Sequence, residues 1–158
     1  MSSVPSRTKE LAVDALPDDP QALAELTART MYANDAASQA LGAHVVSMAP
    51  GQASMSMAVR ADMLNGHKTC HGGFIFALAD STFAFACNSR NAVTVAAGCT
   101  IDYLAPAFQN DVLTAHAIEY SLSGRTGVYD VQVTNQDGKR IAIFRGRSYR
   151  IKGQVVGE

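Results

Sequence analysis

One segment constrains the fold more than any other. From Gly72 to Cys87 the chain is almost wholly apolar, and Asp80 stands in its middle. Phe74-Ile-Phe-Ala-Leu-Ala79 precedes it and Phe83-Ala-Phe-Ala-Cys87 follows, with only Ser81 and Thr82 sharing its polarity. A helix that is apolar nearly all round must be enclosed on most sides. The run is too short and too interrupted for a membrane span, so a buried core helix is the reading. An ionised carboxylate is expensive to bury unpaired, and carboxylates kept in apolar clefts recur as catalytic bases and nucleophiles. A structural role is the competing reading: a carboxylate bonded to Ser or Thr hydroxyls, or paired with an arginine across an interface.

The rest of the composition suits such a core. The chain has 158 residues, 47% hydrophobic and 17% charged, with a formal net charge of -1. That describes one well-packed domain and gives no support for nucleic-acid or membrane binding. The three cysteines, Cys70, Cys87 and Cys99, form no complete disulfide framework and no zinc spacing. A reducing, cytoplasmic setting is expected. The stretch to Asp19 lacks the apolar core of a secretory signal.

Along the chain, residues 1–19 read as a flexible extension, with a short helix near Leu11–Leu16, and residues 20–158 as the domain. A helix is expected from Pro20 to Leu41, with Asn34-Asp35 a place where it can split and Gly42 ending it in a left-handed conformation. Residues 43–49 and 52–60 form a hairpin about Pro50-Gly51. In the second strand Ala53, Met55, Met57 and Val59 alternate with Gln52, Ser54, Ser56 and Ala58, predicting burial on one face. A loop over 61–70 leads into a helix over 72–88. Four strands follow near 93–103, 111–121, 126–135 and 140–151, the last two joined by an Asn135-Gln-Asp-Gly138 turn. Helix, two strands, apolar helix, four strands: an antiparallel sheet wrapped around the central helix accounts for this order. One helix face stays uncovered, so an oligomer is expected.

Two groups of residues carry chemistry. The first is Asn65-Gly-His-Lys-Thr-Cys-His71-Gly72-Gly73 with Asp80. Backbone N–H groups at a helix start have no partner within the helix and favour negative charge. Gly72 and Gly73 let a substrate approach that backbone, where a developing oxyanion would be stabilised. Asp80 lies about two turns further on, roughly 10 Å along the axis from Gly73. That is long for two groups acting on one carbon, unless they come from different subunits. Cys70 and His71 are adjacent and do not make a nucleophile–base pair. His67 and His71 lack a third ligand, so no metal is expected. His71 reads as a residue that positions the loop, His116 as a satisfied sheet residue, and Cys87 and Cys99 as small hydrophobes. The second group is basic: Arg125, Lys139-Arg140, Arg145, Arg147, Arg150 and Lys152. By strand alternation Arg145, Arg147 and Tyr149 share one face, with Arg150 and Lys152 on the other. Such a group can hold phosphates or simply form a solvated sheet face.

The run Met63-Leu-Asn-Gly-His-Lys-Thr-Cys-His-Gly-Gly-Phe-Ile-Phe-Ala-Leu-Ala-Asp80 resembles the hotdog-fold acyl-CoA thioesterases, in particular those of phenylacetic acid degradation. Met31–Asp35, Ala86–Ser89, Cys99–Tyr103, Thr126–Asp130 and Phe144–Ser148 extend the resemblance over about residues 22–152. It implies an α+β hotdog fold that assembles as a homodimer and homotetramer with sites between subunits. The implied reaction is hydrolysis of the thioester of phenylacetyl-CoA, or a ring-hydroxylated relative, to free acid and coenzyme A. No cofactor is implied, since coenzyme A is part of the substrate. Asp80 would be nucleophile or general base, Gly72 the oxyanion donor, Asn65 the residue placing water, and His71 a support for the loop. Gly73, Tyr103, Gly124, Arg125, Thr126, Arg147 and Arg150 would contact the acyl group or coenzyme A. Related thioesterases often carry a Ser or Thr near Ala96, so its water-placing role stands open here. A hotdog hydratase or dehydratase would need a His partner for Asp80, and a non-catalytic acyl-CoA-binding module would not need Asp80 at all.

Overall fold

The computed structural model describes residues 15–157. Most of the expected extension, and all of the expected short helix except Ala15 and Leu16, lies outside that range; those two residues are not helical. Helix α1 (Pro20–Asn34) starts with proline in its first turn and with Asp19 accepting a hydrogen bond from the Ala22 N–H at 2.8 Å. The split at Asn34-Asp35 is real. Asp35 caps a second helix, α2 (Ala36–Leu41), by accepting from the Ser38 N–H at 2.9 Å. Gly42 ends α2 at φ +70°, a conformation that residues with a Cβ rarely adopt.

Six strands form one antiparallel sheet: β1 (His44–Ala49), β2 (Gln52–Ala58), β3 (Thr94–Tyr103), β4 (Val112–Ser123), β5 (Thr126–Thr134) and β6 (Arg140–Arg150). Their order across the sheet is β1-β2-β4-β5-β6-β3. Helix α3 (Gly72–Asn88) packs against all six, so the sheet wraps around it as the sequence order requires. The core is where the two meet. Leu78, Phe83 and Phe85 of α3 are buried with Met55, Met57, Leu113, Tyr129, Val131 and Phe144 from the strands. Fully burying a side chain of this kind contributes about 1.5–3 kcal/mol, so the apolar face of α3 anchors the whole sheet.

The expected hairpin turn closes with the Gly138 N–H donating to the Asn135 carbonyl. Strand β2 differs from expectation. It is buried on both faces, because Ser54 and Ser56 are buried along with Met55 and Met57. Their hydroxyls reach β4: Ser54 Oγ lies 2.6 Å from His116 Nδ1, and Ser56 donates to the Leu113 carbonyl at 3.1 Å. A small hydroxyl bonded to the next strand can be buried, and alternation of polarity does not reveal this. Strand β3 is the other rim of the sheet and pairs only with β6.

Candidate active site

The loop before α3 is organised by Asn65. Its Oδ1 accepts from the N–H of His67 at 2.9 Å, and its Nδ2 donates to Thr69 Oγ1 at 3.0 Å. The His71 N–H then donates to the Met63 carbonyl, which sets the entry into the helix. His71 caps α3: its Nδ1 accepts from the Gly73 N–H at 2.9 Å. The two glycines therefore differ. The Gly73 amide is occupied, whereas the Gly72 amide has no partner among the described residues and points out of a helix start, where the helix dipole favours an anion. Tyr103, at the end of β3, covers this point. Its hydroxyl donates to the Gly72 carbonyl at 2.9 Å. A Cβ at position 72 would lie 3.0 Å from the Tyr103 ring, close enough that the ring would have to move by a few tenths of an ångström to admit it.

Asp80 lies eight residues along the same helix, a rise of about 12 Å from Gly72. It is half-buried, and burial raises its carboxyl above the ordinary carboxylate value. The side-chain donor that reaches it is the Cys99 thiol of β3, with Sγ 3.9 Å from Oδ1, which acts in the opposite direction. Next to it, the Ser38 hydroxyl gives its one proton to the Asp35 carboxylate and accepts from the Ser81 hydroxyl at 3.0 Å, which ties α2 to α3 beside Asp80. A carboxylate with this exposure, this weak a donor and no cationic partner retains its basicity.

The basic residues separate. Gly124, Arg125 and Arg150 line a narrow cleft together with Arg90, Thr94 and Ser148. Arg90 is engaged with Glu119 at 2.6 Å, while the Arg125 and Arg150 side chains have no partner among the described residues. Ser148 Oγ is buried there without a hydrogen bond. Thr126 opens β5 nearby, opposite Tyr149. Arg147 lies on the other sheet face with its guanidinium against Gly98, and Arg145 beside it is held by Asp130 at 2.6 Å. Strand alternation separates Arg147 from Arg150 correctly. It does not find Arg90, Ser148 or the contact of Cys99 with Asp80. Cys99 reads as one more small hydrophobe in sequence, and only its inward-facing parity with Ile101 and Tyr103 hints at a place in the site. Among the described residues no His, Cys, Asp or Glu cluster could hold a metal, and no helix is long and apolar enough to cross a membrane.

Known proteins share this fold and much of its sequence. The chain is 51% identical over 131 residues to the acyl-coenzyme A thioesterase PaaI of Escherichia coli K12, a stretch covering 83% of this chain and 94% of that protein. Residues 67–142 match the thioesterase superfamily. The chain belongs to the thioesterase superfamily. Its six-stranded sheet around one helix is the hotdog fold. The solved structure of the E. coli PaaI protein from the phenylacetic acid degradation operon superposes on this thioesterase with a TM-score of 0.85 at 48% identity, covering 86% of this chain and 99% of that one. A hypothetical thioesterase from Streptococcus pneumoniae, solved with coenzyme A, superposes with a TM-score of 0.67 at 27% identity, covering 71% of this chain and 87% of that one.

Proposed function

We propose that this thioesterase hydrolyses the thioester of phenylacetyl-CoA, or of a ring-hydroxylated relative, to the free acid and coenzyme A in phenylacetate catabolism. The observation that carries the reading is the 51% identity to an acyl-coenzyme A thioesterase across nearly the whole of that protein. The half-buried Asp80 supplies the chemistry. It attacks the thioester carbonyl or draws a proton from the attacking water, and its raised affinity for protons suits it to either role. The free Gly72 amide stabilises the oxyanion. His71 and Asn65 serve by shaping the loop that aims that amide, and Asn65 helps to place the water. Gly73 keeps the approach open. Water is the only co-reactant, so no cofactor is needed.

Because the Asp80 carboxylate and the Gly72 amide are about 12 Å apart on one helix, each site takes one from either subunit of a homodimer, and two dimers pair as a tetramer. The β3 rim, which lacks a neighbour strand on its outer side, supports this assembly. Coenzyme A phosphates sit at Gly124, Arg125, Thr126 and Arg150, with Arg147 meeting the nucleotide end from the other sheet face. A coenzyme A-bound relative of the same fold supports that class of ligand. The setting is cytoplasmic. The reading is tested by following release of free coenzyme A from phenylacetyl-CoA and from an enoyl-CoA. Release from the first confirms a thioesterase. Hydration of the second without release replaces it with a hydratase, and binding without either reaction replaces it with a binding module.

A further inference from the structure

We infer that β3 is the positioning strand of this site: its helix-facing side chains Cys99 and Tyr103 hold Asp80 and the Gly72 carbonyl at a set separation. The inference rests on the assignment of Asp80 and Gly72 above and adds two residues whose contribution is made through them.

Three contacts join β3 to α3, and they are evenly spaced. At the C-terminal end of α3, Asn88 Nδ2 donates to the Thr94 carbonyl and Asn88 Oδ1 accepts from the Thr94 N–H, both at 2.9 Å. In the middle, Cys99 meets Asp80 with 3.9 Å between Sγ and Oδ1. At the N-terminal end, the Tyr103 hydroxyl donates to the Gly72 carbonyl at 2.9 Å. On the helix the three points are eight residues apart, a rise of about 12 Å each. On the strand, Cys99 to Tyr103 is four residues, about 13 Å. Thr94 to Cys99 is five, and the irregularity between Ala96 and Gly98 absorbs the extra residue. Helix and strand therefore match in length at each interval. Cys99, Ile101 and Tyr103 fall on one strand face by alternation, and Ile101 packs on the core between the two polar contacts.

Each contact suits its target. A thiol is a weak donor, so it orients one oxygen of Asp80 while leaving the carboxylate basic. The Tyr103 hydroxyl holds the Gly72 carbonyl, and its ring packs closely over the glycine. That carbonyl lies in the Gly72–Gly73 peptide, next along the chain from the peptide that carries the Gly72 N–H, so holding it limits how the helix start can turn and with it the direction of that N–H. Neither Cys99 nor Tyr103 needs to touch the reacting carbon to matter, since a misdirected donor loses most of its effect on the transition state.

The test uses the full chain and phenylacetyl-CoA, with turnover read from thioester absorbance so that no thiol reagent touches Cys99. Tyr103→Phe keeps the ring and removes the hydroxyl. It should lower kcat about 3- to 10-fold, the loss of one neutral hydrogen bond, with KM and the acid limb of the pH profile unchanged. Cys99→Ala should move the acid limb of kcat/KM to higher pH, because Asp80 loses the donor that favours its ionised form. Cys99→Ser, with a stronger donor, should move it to lower pH. The titratable groups coupled to Asp80 are Cys99 from β3 and Cys87 from its own helix, with Arg147 of β6 acting on Cys99. Both thiols are shifted up and stay neutral in the range that matters. If Asp80→Asn is inactive while Tyr103→Phe and Cys99→Ala keep wild-type kcat and pH profile, the positioning role is overturned. Lower melting temperatures with kcat and KM changing together and an unmoved acid limb would also overturn it, in favour of a purely structural strand. An active Asp80→Asn enzyme would overturn the catalytic assignment beneath it.

Discussion

The two halves of the proposed site lie on one helix and are built on opposite principles. At the start of α3 the functional group is a backbone amide. It is bare because the first N–H groups of a helix lack an acceptor within it, and the groups on either side of it are fixed, the Gly73 N–H by His71 and the Gly72 carbonyl by Tyr103. Eight residues on, the functional group is a side chain. Its partner is a thiol, and the apolar helix around it supplies the desolvation. The first half gains its reactivity from hydrogen bonds made by others, and the second from hydrogen bonds withheld. A donor needs a rigid frame, whereas a base needs a poor one. On the proposed function, placing both on α3 at a separation that one substrate carbon cannot bridge calls for another copy of the chain to complete each half.

The comparison breaks first at Asp80. Asp80→Asn has the same shape and no basicity, so turnover of phenylacetyl-CoA should fall on the order of 10²–10⁴-fold, while coenzyme A still binds in a calorimetric titration. Gly72→Pro removes the amide donor at the other half. A loss on the order of 10²–10³-fold in kcat is expected, the range for one oxyanion donor, in protein shown to be folded by its thermal melt. The separation of the halves is tested by unfolding and refolding these two variants together. If each site joins the halves of two chains, a mixed dimer holds one doubly defective site and one intact site. Random pairing then restores about a quarter of wild-type activity. No recovery, with mixed dimers seen by native mass spectrometry, would mean that each chain builds its own site.

The smallest effect is on stability. Burial raises the Asp80 carboxyl above its ordinary 3.8, so the folded chain holds that proton more tightly than the unfolded one. This contribution to stability is present in acid and lost as pH rises through the folded value. Asp80→Asn should therefore melt higher than wild type at neutral pH, and the difference should shrink as pH falls below the folded value. A variant that melts lower at neutral pH would argue that the carboxylate is satisfied by its surroundings rather than strained by them.

How much of this is visible in the residue string follows from what each feature depends on. Asp80 is visible because a charge amid the eleven apolar residues of Phe74–Cys87 is anomalous on its own. The break at Asp35 and the turn at Gly42 are local chemistry, readable from capping and backbone freedom. The separation of Arg147 from Arg150 follows from a period of two. Contacts between distant segments leave no such trace. Ser54 reads as solvent-facing until His116, sixty-two positions on, is known to meet it. Cys99 and Arg90 are similar cases: nothing near them in sequence names Asp80 or Glu119. The support of the site was hidden for the same reason, since Tyr103 matters through a glycine thirty-one positions earlier.

The position of β3 at the rim has a consequence for how the molecule assembles. It is made early, directly after α3, yet its only partner strand is β6, the last of the six. Closing that pairing spans both β4 and β5, and a contact of such sequence separation forms late because the intervening loop must first be ordered. During synthesis α3 can collapse against β1 and β2 long before β3 is secured. A chain interrupted before Arg140 would keep Asp80 and Gly72 and yet leave β3 with no strand to hold it. Acquisition of activity should therefore trail compaction in refolding, with the final strand, rather than the helix that carries the chemistry, setting the delay.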